Sequence, residues 1–184
     1  MQKSPGIALL ALVWAATAGF ATGSSAAGPP VGGMPLNSMV DANSVKAWEE
    51  GCAHRRWFCR LDLVAHATSW EFVNVTADSK PAAAYFLTEH DMRREGYIVS
   101  MWERIEYNGR PHGYPYRSVL AHARFDCLND AVSLDFAIVY SRNNLIGQLA
   151  SHEYAPPVVQ PITPGSVGEE EWNSACGRAS GGYQ

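Results

Sequence analysis

Polar and apolar residues alternate most regularly between residues 132 and 141 of the chain. The apolar members of this alternation are Val132, Leu134, Phe136, Ile138 and Tyr140. Because successive side chains of a strand point to opposite faces, a period of two predicts a half-buried β-strand here. Shorter apolar runs bounded by turn residues predict further strands at residues 70–75, 82–87, 96–107, 116–125 and 145–150.

Two stretches outside the strands favour helices. Several prolines between residues 156 and 164 are predicted to end the strand region, because a proline cannot donate to a strand ladder. Ser166 can then cap a short helix whose first turns contain the glutamates at 169–171, which suit the positive end of the helix dipole. Residues 41–63 are also compatible with one or two short helices, interrupted at Gly51.

The first 27 residues have the order of a bacterial secretory signal peptide. Lys3 precedes an apolar run over residues 7–20 and small residues up to Ala27, after which we expect cleavage. The run is shorter than the roughly 20 residues of a membrane span, so we expect no transmembrane span in the mature chain. No cysteine stands at the cleavage position. We therefore expect an exported protein, periplasmic or at the cell surface or secreted, and not a lipoprotein.

The remaining pattern predicts one folded domain with an extension. Residues 28–40 are a flexible leader rich in Gly and Pro, 41–67 a helical extension with a cysteine pair, and 68–184 the β domain. Without Lys3, the Lys and Arg count falls from 14 to 13 against 18 Asp and Glu, a net charge of about −5. This balance disfavours nucleic acid as a partner.

The chain has four cysteines, Cys52, Cys59, Cys127 and Cys176. In an oxidising compartment they predict two disulfides, for which three pairings exist. Sequence order favours Cys52–Cys59 with Cys127–Cys176. A metal site that uses the first two with His54 and His66 is disfavoured, because the spacing matches no familiar zinc pattern.

Catalytic and cofactor motifs are not found in the sequence. It contains no nucleophile elbow, phosphate-binding glycine loop, His-Glu zinc helix or paired-cysteine redox motif. We therefore expect neither an enzyme nor a cofactor. Glu103 lies among apolar residues of a predicted strand, where burial without a partner would be costly, so we expect an edge position or an arginine partner.

A hairpin and its loops contain the candidate partner-binding residues. Tyrosine supplies a large contact area at low entropic cost, and arginines in a loop can contact an anionic partner. The candidates are Arg93, Arg94, Tyr97, Tyr107, Tyr114 and Tyr116. The simpler interpretation is that the tyrosines pack the core and that the arginines are solvated loop charges. Which tyrosines share a face depends on the strand register.

Several short patterns follow one another between residues 85 and 176 of the chain. They are Tyr85-Phe-Leu87, His90-Asp-Met92, residues 99–107 with Trp102, Arg104 and Glu106, Phe125-Asp-Cys127, Gly147, Pro164-Gly-Ser166, Trp172 and Cys176. Together they resemble the surface-adhesin protein E-like domains of proteobacteria. Their order over residues 68–177 carries the resemblance. It implies an α+β fold: a six-stranded antiparallel sheet with a carboxy-terminal helix packed on it and tied by a disulfide, here preceded by a short helical extension.

The resemblance also implies a function. The family's namesake is a surface lipoprotein that binds host extracellular-matrix proteins, whereas this chain has no lipid-attachment cysteine and has an extra segment with its own cysteine pair. Our first hypothesis is an exported envelope binding protein whose partners are host matrix proteins. The alternative is a periplasmic structural or assembly factor that contacts other envelope proteins. Both require a protein partner, and a homodimer stays open.

Overall fold

A computed structural model of the 184-residue chain describes residues 46, 48–50, 60–62, 64–76 and 81–180, with side chains up to residue 177. The predicted signal peptide and leader, and the cysteines Cys52 and Cys59, lie outside the described residues. Residues 46 and 48–50 have a helical backbone, and Ala65–Ala67 form a 3-10 turn.

The described chain forms a six-stranded antiparallel sheet and a carboxy-terminal helix, which confirms the predicted fold. The strands are β1 (Glu71–Val75), β2 (Ala83–Glu95), β3 (Ile98–Tyr107), β4 (Ser118–Asp126), β5 (Ala131–Arg142) and β6 (Ile146–Pro161), and the helix α1 is Val167–Ser180. Each strand pairs with the next one along the chain, so the sheet order is the sequence order. This meander follows from short connections between alternating segments.

Two strands are longer than the sequence predicts. The prolines after residue 155 do not end β6, which continues to Pro161. The expectation was wrong because β6 lies at the edge of the sheet, where a proline can occupy a position that donates to no neighbouring strand. Strand β2 extends past Leu87 to Glu95, with an irregularity in its pairing to β3 between Thr88 and Arg93.

Helix α1 begins at the predicted cap. The Ser166 hydroxyl accepts a hydrogen bond from the Glu169 backbone N–H at 3.3 Å, and the Glu169 carboxylate accepts one from the Gly165 N–H at 2.7 Å. The predicted bridge between Cys127 and Cys176 is confirmed, with Cα atoms 5.6 Å apart. It ties the helix to the end of β4, so the helix is held at both ends.

Strand alternation gives the sheet two buried faces. The helix face packs against α1 and includes Val99, Met101 and Ile105 of β3. The opposite side, here called the extension face, is covered in part by Trp48 and Trp70 of the preceding segment; its β3 residues are Ser100, Trp102, Arg104 and Glu106. The sheet is therefore the middle of three layers, and only part of the extension face is covered by described residues.

Candidate binding surface

The covered end of the extension face contains a buried ion pair. Arg104 and Glu106 are two residues apart on β3 and point to the same side, where the Arg104 Nε lies 2.7 Å from the Glu106 Oε1. Glu106 also accepts hydrogen bonds from the Asn143 side chain at 2.8 Å and from the Asn144 backbone at 2.9 Å. Burial raises the pKa of Glu106, and Arg104 and these donors oppose that rise.

The same arginine holds the extension onto the sheet. Its guanidinium donates to the Asp62 carbonyl at 2.6 Å and to the Asn144 side chain at 2.8 Å. The Trp48 indole donates to the Glu106 carbonyl at 3.1 Å. Arg104, Glu106 and Trp48 are buried, so these three side chains are structural and are not available to a ligand.

The helix face contains a buried pair of two acids. Glu103 lies on an inner strand and faces Glu171 of α1, and both are fully buried. The sequence-based expectation of an edge position or an arginine partner was therefore wrong. Burial raises the pKa of Glu103 to about 7, and burial and the Glu103 charge raise the pKa of Glu171 well above its ordinary value.

A shared proton explains how this pair is tolerated. Glu103 Oε1 and both carboxyl oxygens of Glu171 have no hydrogen-bond donor among the described groups. A proton on one carboxyl supplies the hydrogen bond that joins the two, and it removes one of the two negative charges. The pair has no access to solvent, so it belongs to the core and not to a binding site.

The extension face is open at the end away from Arg104. A depression of about 440 Å³, here called the open groove, lies over β2, β3 and β4 with a wall from β5. Its lining residues are Asp91, Arg93, Glu95, Ser100, Trp102, His122, Arg124 and Asp135. Arg93 pairs with Ser100, and Ser100 pairs with Arg124, so the two arginines flank one serine in a single cross-strand row.

A fixed histidine forms the wall next to this row. His122 Nδ1 lies 2.7 Å from a carboxylate oxygen of Asp135, and its ring meets the edge of Trp102 with centroids 5.0 Å apart. Because a carboxylate only accepts hydrogen bonds, Nδ1 carries the hydrogen and donates it to Asp135. The side chains of His122 and Asp135 are 27% and 30% exposed, so a ligand can reach them.

A smaller apolar pocket adjoins the open groove. It has a volume of about 100 Å³, and Trp102 lines both. The pocket's lining residues are His66, Thr68, Trp70, Thr88, His90, Trp102, Leu120 and Leu145. His66 is held over it by a hydrogen bond of its Nε2 to the Leu145 carbonyl at 3.0 Å, which fixes the rim.

The predicted candidates divide into accessible and buried residues. Arg93 lines the open groove, while Arg94 and Tyr97 lie exposed at the β2–β3 hairpin, where Tyr97 is 60% exposed. Tyr107 and Tyr116 are core residues of the helix face, 8% and 1% exposed. Tyr114 is half-buried against Tyr116, with ring centroids 5.3 Å apart. Partner contact stays a prediction for these residues, and the buried tyrosines present little area for it.

Sequence reasoning missed Trp102, His122 and Arg124 as candidate binding residues. They meet only through the β3–β4 register, in which Trp102 faces His122 and Ser100 faces Arg124. The length of the connection between Tyr107 and Ser118 does not determine this register. A slip of one residue would move each side chain to the other face of the sheet, so the sequence alone could not show that these residues meet.

Among the described residues, no group of three or more His, Cys, Asp and Glu side chains is arranged to hold a metal ion. No helix in the described part of the chain is both long and apolar enough to cross a membrane.

Comparison with known proteins identifies the family. Residues 70–177, more than half of the 184-residue chain, match the family described as surface-adhesin protein E. No curated protein matches the chain. Two structures of Haemophilus influenzae protein E are similar to this chain at 13% identity. The match to the first, a crystal form II structure, covers 59% of this chain and 89% of that protein's chain with a TM-score of 0.44, and the match to the second covers 61% and 89% with a TM-score of 0.43. On the family match, the chain belongs to the surface-adhesin protein E family.

Proposed function

We propose that this protein is an exported envelope protein that binds protein partners, host extracellular-matrix proteins among them, through the open groove. Membership of the surface-adhesin protein E family makes the chain adhesin-like and favours a binding role over catalysis. The observation that carries the proposal is the row of Arg93, Ser100 and Arg124 beside the Trp102 ring, accessible on an otherwise covered face.

The composition of the open groove suits a protein surface as ligand. Arginine and aromatic residues are enriched where proteins meet proteins. Trp102 is held by the rings of His122 and Phe136, with centroids 5.0 and 6.2 Å away, so it presents its area without ordering a mobile side chain.

The hairpin beside the groove adds the residues predicted from the sequence. Arg94 and Tyr97 are exposed there, and the Arg94 Nε donates to the Gly96 carbonyl at 3.1 Å, which orders the tip. A partner that covers the groove and the tip would meet three arginines, Arg93, Arg94 and Arg124, together with the carboxylates of the groove lining. Because Arg93 and Arg124 stand in one row beside Trp102, we expect contact regions of matrix proteins that place an acidic residue against that row.

Binding to purified matrix proteins tests the proposal. The mature protein and two variants, Arg124→Gln and Arg110→Gln, are passed over a panel of immobilised extracellular-matrix proteins. Both variants lose one positive charge, but Arg110 is exposed in the loop after β3, away from the open groove. We expect binding by the wild type that Arg124→Gln weakens about threefold and Arg110→Gln leaves unchanged. Equal loss in both variants would indicate non-specific attraction and would contradict a groove-centred function.

Location tests the alternative, a periplasmic structural or assembly factor. Protease added to intact cells should digest the protein if it is displayed at the surface. Protection on intact cells, with digestion after the outer membrane is opened, would contradict host adhesion and favour the periplasmic role.

A further inference from the structure

We propose that the open groove and the apolar pocket form one site for an extended acidic segment of a partner protein, in which a branched aliphatic residue lies two positions from an aspartate or glutamate. This deepens the proposed function and rests on it. The two depressions share Trp102, so a single segment can occupy both.

The size of the apolar pocket selects the aliphatic side chain. Its volume is about 100 Å³. An apolar cavity of about 150 Å³ holds a benzene ring, so this pocket suits a smaller, branched group such as the side chain of leucine or valine. The indole rings of Trp70 and Trp102 and the side chains of Leu120 and Leu145 supply its apolar walls.

The charges next to the pocket select an acid. Arg93 and Arg124 flank Ser100 and, in the described structure, neither has a carboxylate within 4.0 Å. Two guanidinium groups and a hydroxyl in one row can donate several hydrogen bonds to a carboxylate.

The acidic residues of the groove lie beside this row and not within it. The Asp135 carboxylate is hydrogen-bonded to His122 at 2.7 Å, and Asp91 lies 3.4 Å from His90. Glu95 pairs with Ile98, two positions further from Trp102 than Ser100 is. Within the row itself both charged side chains are cations, and neither forms an ion pair with another described residue.

The spacing between the two subsites fits alternate residues of an extended peptide. Ser100 and Trp102 are alternate residues of β3 on the same face, which places their rows about 7 Å apart. Alternate side chains of an extended ligand have the same separation and also point to one side. One ligand side chain can enter beside Trp102 while the next on that side meets Arg124, whose long stem covers the remaining distance.

Short synthetic peptides test this chemistry on the mature protein. The probes are acetylated, amidated Thr-Leu-Thr-Asp-Thr and its reversed order Thr-Asp-Thr-Leu-Thr, because the site has no assigned direction. NMR titration follows the indole N–H of Trp102, assigned with Trp102→Phe. We expect at least one probe to shift this resonance. Replacing its leucine by alanine should weaken binding about tenfold, and replacing its aspartate by asparagine about threefold.

A double-mutant cycle locates the acid. If the peptide aspartate contacts Arg124, its replacement by asparagine should cost about threefold in the wild type and in Arg110→Gln, but almost nothing in Arg124→Gln. A peptide with leucine and aspartate adjacent should bind more weakly than the spaced probe. Equal binding of the spaced and adjacent peptides, the same aspartate effect in every variant, or no shift at Trp102 would each overturn the inference.

The two proposals fail separately. Matrix proteins that bind the wild type, with no shift from either peptide, would contradict the ligand chemistry and leave the function standing. Peptides that bind as expected, with no matrix protein bound, would support the site and contradict the proposed partners.

Discussion

Glu103 and Glu106 lie three residues apart on strand β3, on opposite faces of the sheet, and both are buried. Glu106 is matched by the Arg104 guanidinium and by donors from Asn143 and Asn144. Glu103 meets another acid, Glu171, and burial raises the pKa of both carboxyls, which favours a proton on the pair. Strand β3 therefore buries two carboxyl groups in different ways: Glu106 is paired with a cation, whereas Glu103 is neutralised by a proton. The two sites should respond differently to mutation and to pH.

The largest expected effect is on the matched side. Arg104→Met leaves Glu106 buried without its cation, so we expect the free energy of unfolding at pH 7 to fall by about 3–5 kcal/mol, as measured by urea denaturation. The double variant Arg104→Met with Glu106→Leu should recover part of this loss, because no charge is then left unpaired. A double variant less stable than the single one would contradict the account of a charge-matched face.

Loss of the long disulfide should come next. Cys127→Ser together with Cys176→Ser opens a bridge of sequence separation 49, which should cost about 3–4 kcal/mol in the unfolding free energy. Because a short loop constrains the unfolded chain less, Cys52→Ser should matter less if Cys52 and Cys59 pair as predicted. Equal melting temperatures for the wild type and the variant without the long bridge would show that α1 needs no covalent tie.

The neutralised pair should make stability fall as pH rises. The pKa of Glu103 is about 7 in the folded protein and near 4.5 when unfolded, so the folded state binds this proton more tightly. The stability that follows is fully present below pH 4.5 and is lost as pH rises through 7, on the order of 3 kcal/mol by pH 8. Urea denaturation between pH 5 and pH 8 measures this change.

A matched variant isolates the effect of the acid pair. Glu103→Gln with Glu171→Gln retains hydrogen-bonding groups without a titrating proton, so its stability should change less between pH 5 and pH 8 than that of the wild type. Parallel pH profiles for the two proteins would exclude the pair as the source of the pH dependence.

The smallest stability effect is expected in the open groove. Arg124 has no ion pair among the described residues, so Arg124→Gln should change the unfolding free energy by less than about 0.5 kcal/mol while it weakens binding. This sharpens the contrast with Arg104, an arginine on the same face whose role is structural. If Arg124→Gln lowered the unfolding free energy by several kcal/mol, Arg124 would have a structural role instead.

The strands and the helix cap could be predicted from the sequence because each depends on local pattern, and the long disulfide was predicted from the order of the four cysteines. Alternation over residues 132–141 corresponds to the inner strand β5, and Ser166 caps α1 as expected. The length of β6 was missed because edge position, which makes its prolines tolerable, is a property of the whole sheet.

The candidate site was harder to predict because it depends on register. Arg93 was chosen from its charge alone, whereas its alignment with Ser100 and Arg124 exists only after three strands pair. Glu103 and Glu171 lie 68 positions apart in the sequence, and no local pattern indicates that helix packing brings them together. Tertiary contacts of this kind decide which polar residues are structural and which are available to a partner.

Side-chain footprinting of a complex tests most directly whether the open groove is the binding surface. The mature protein is oxidised by hydroxyl radicals, alone and with the matrix protein that it binds best, and the oxidation of each tryptophan and tyrosine is measured. We predict protection of Trp102 in the complex, with unchanged oxidation of the half-buried Trp172 of α1, on the other side of the sheet. Unchanged oxidation of Trp102, with protection elsewhere on the molecule, would contradict the account.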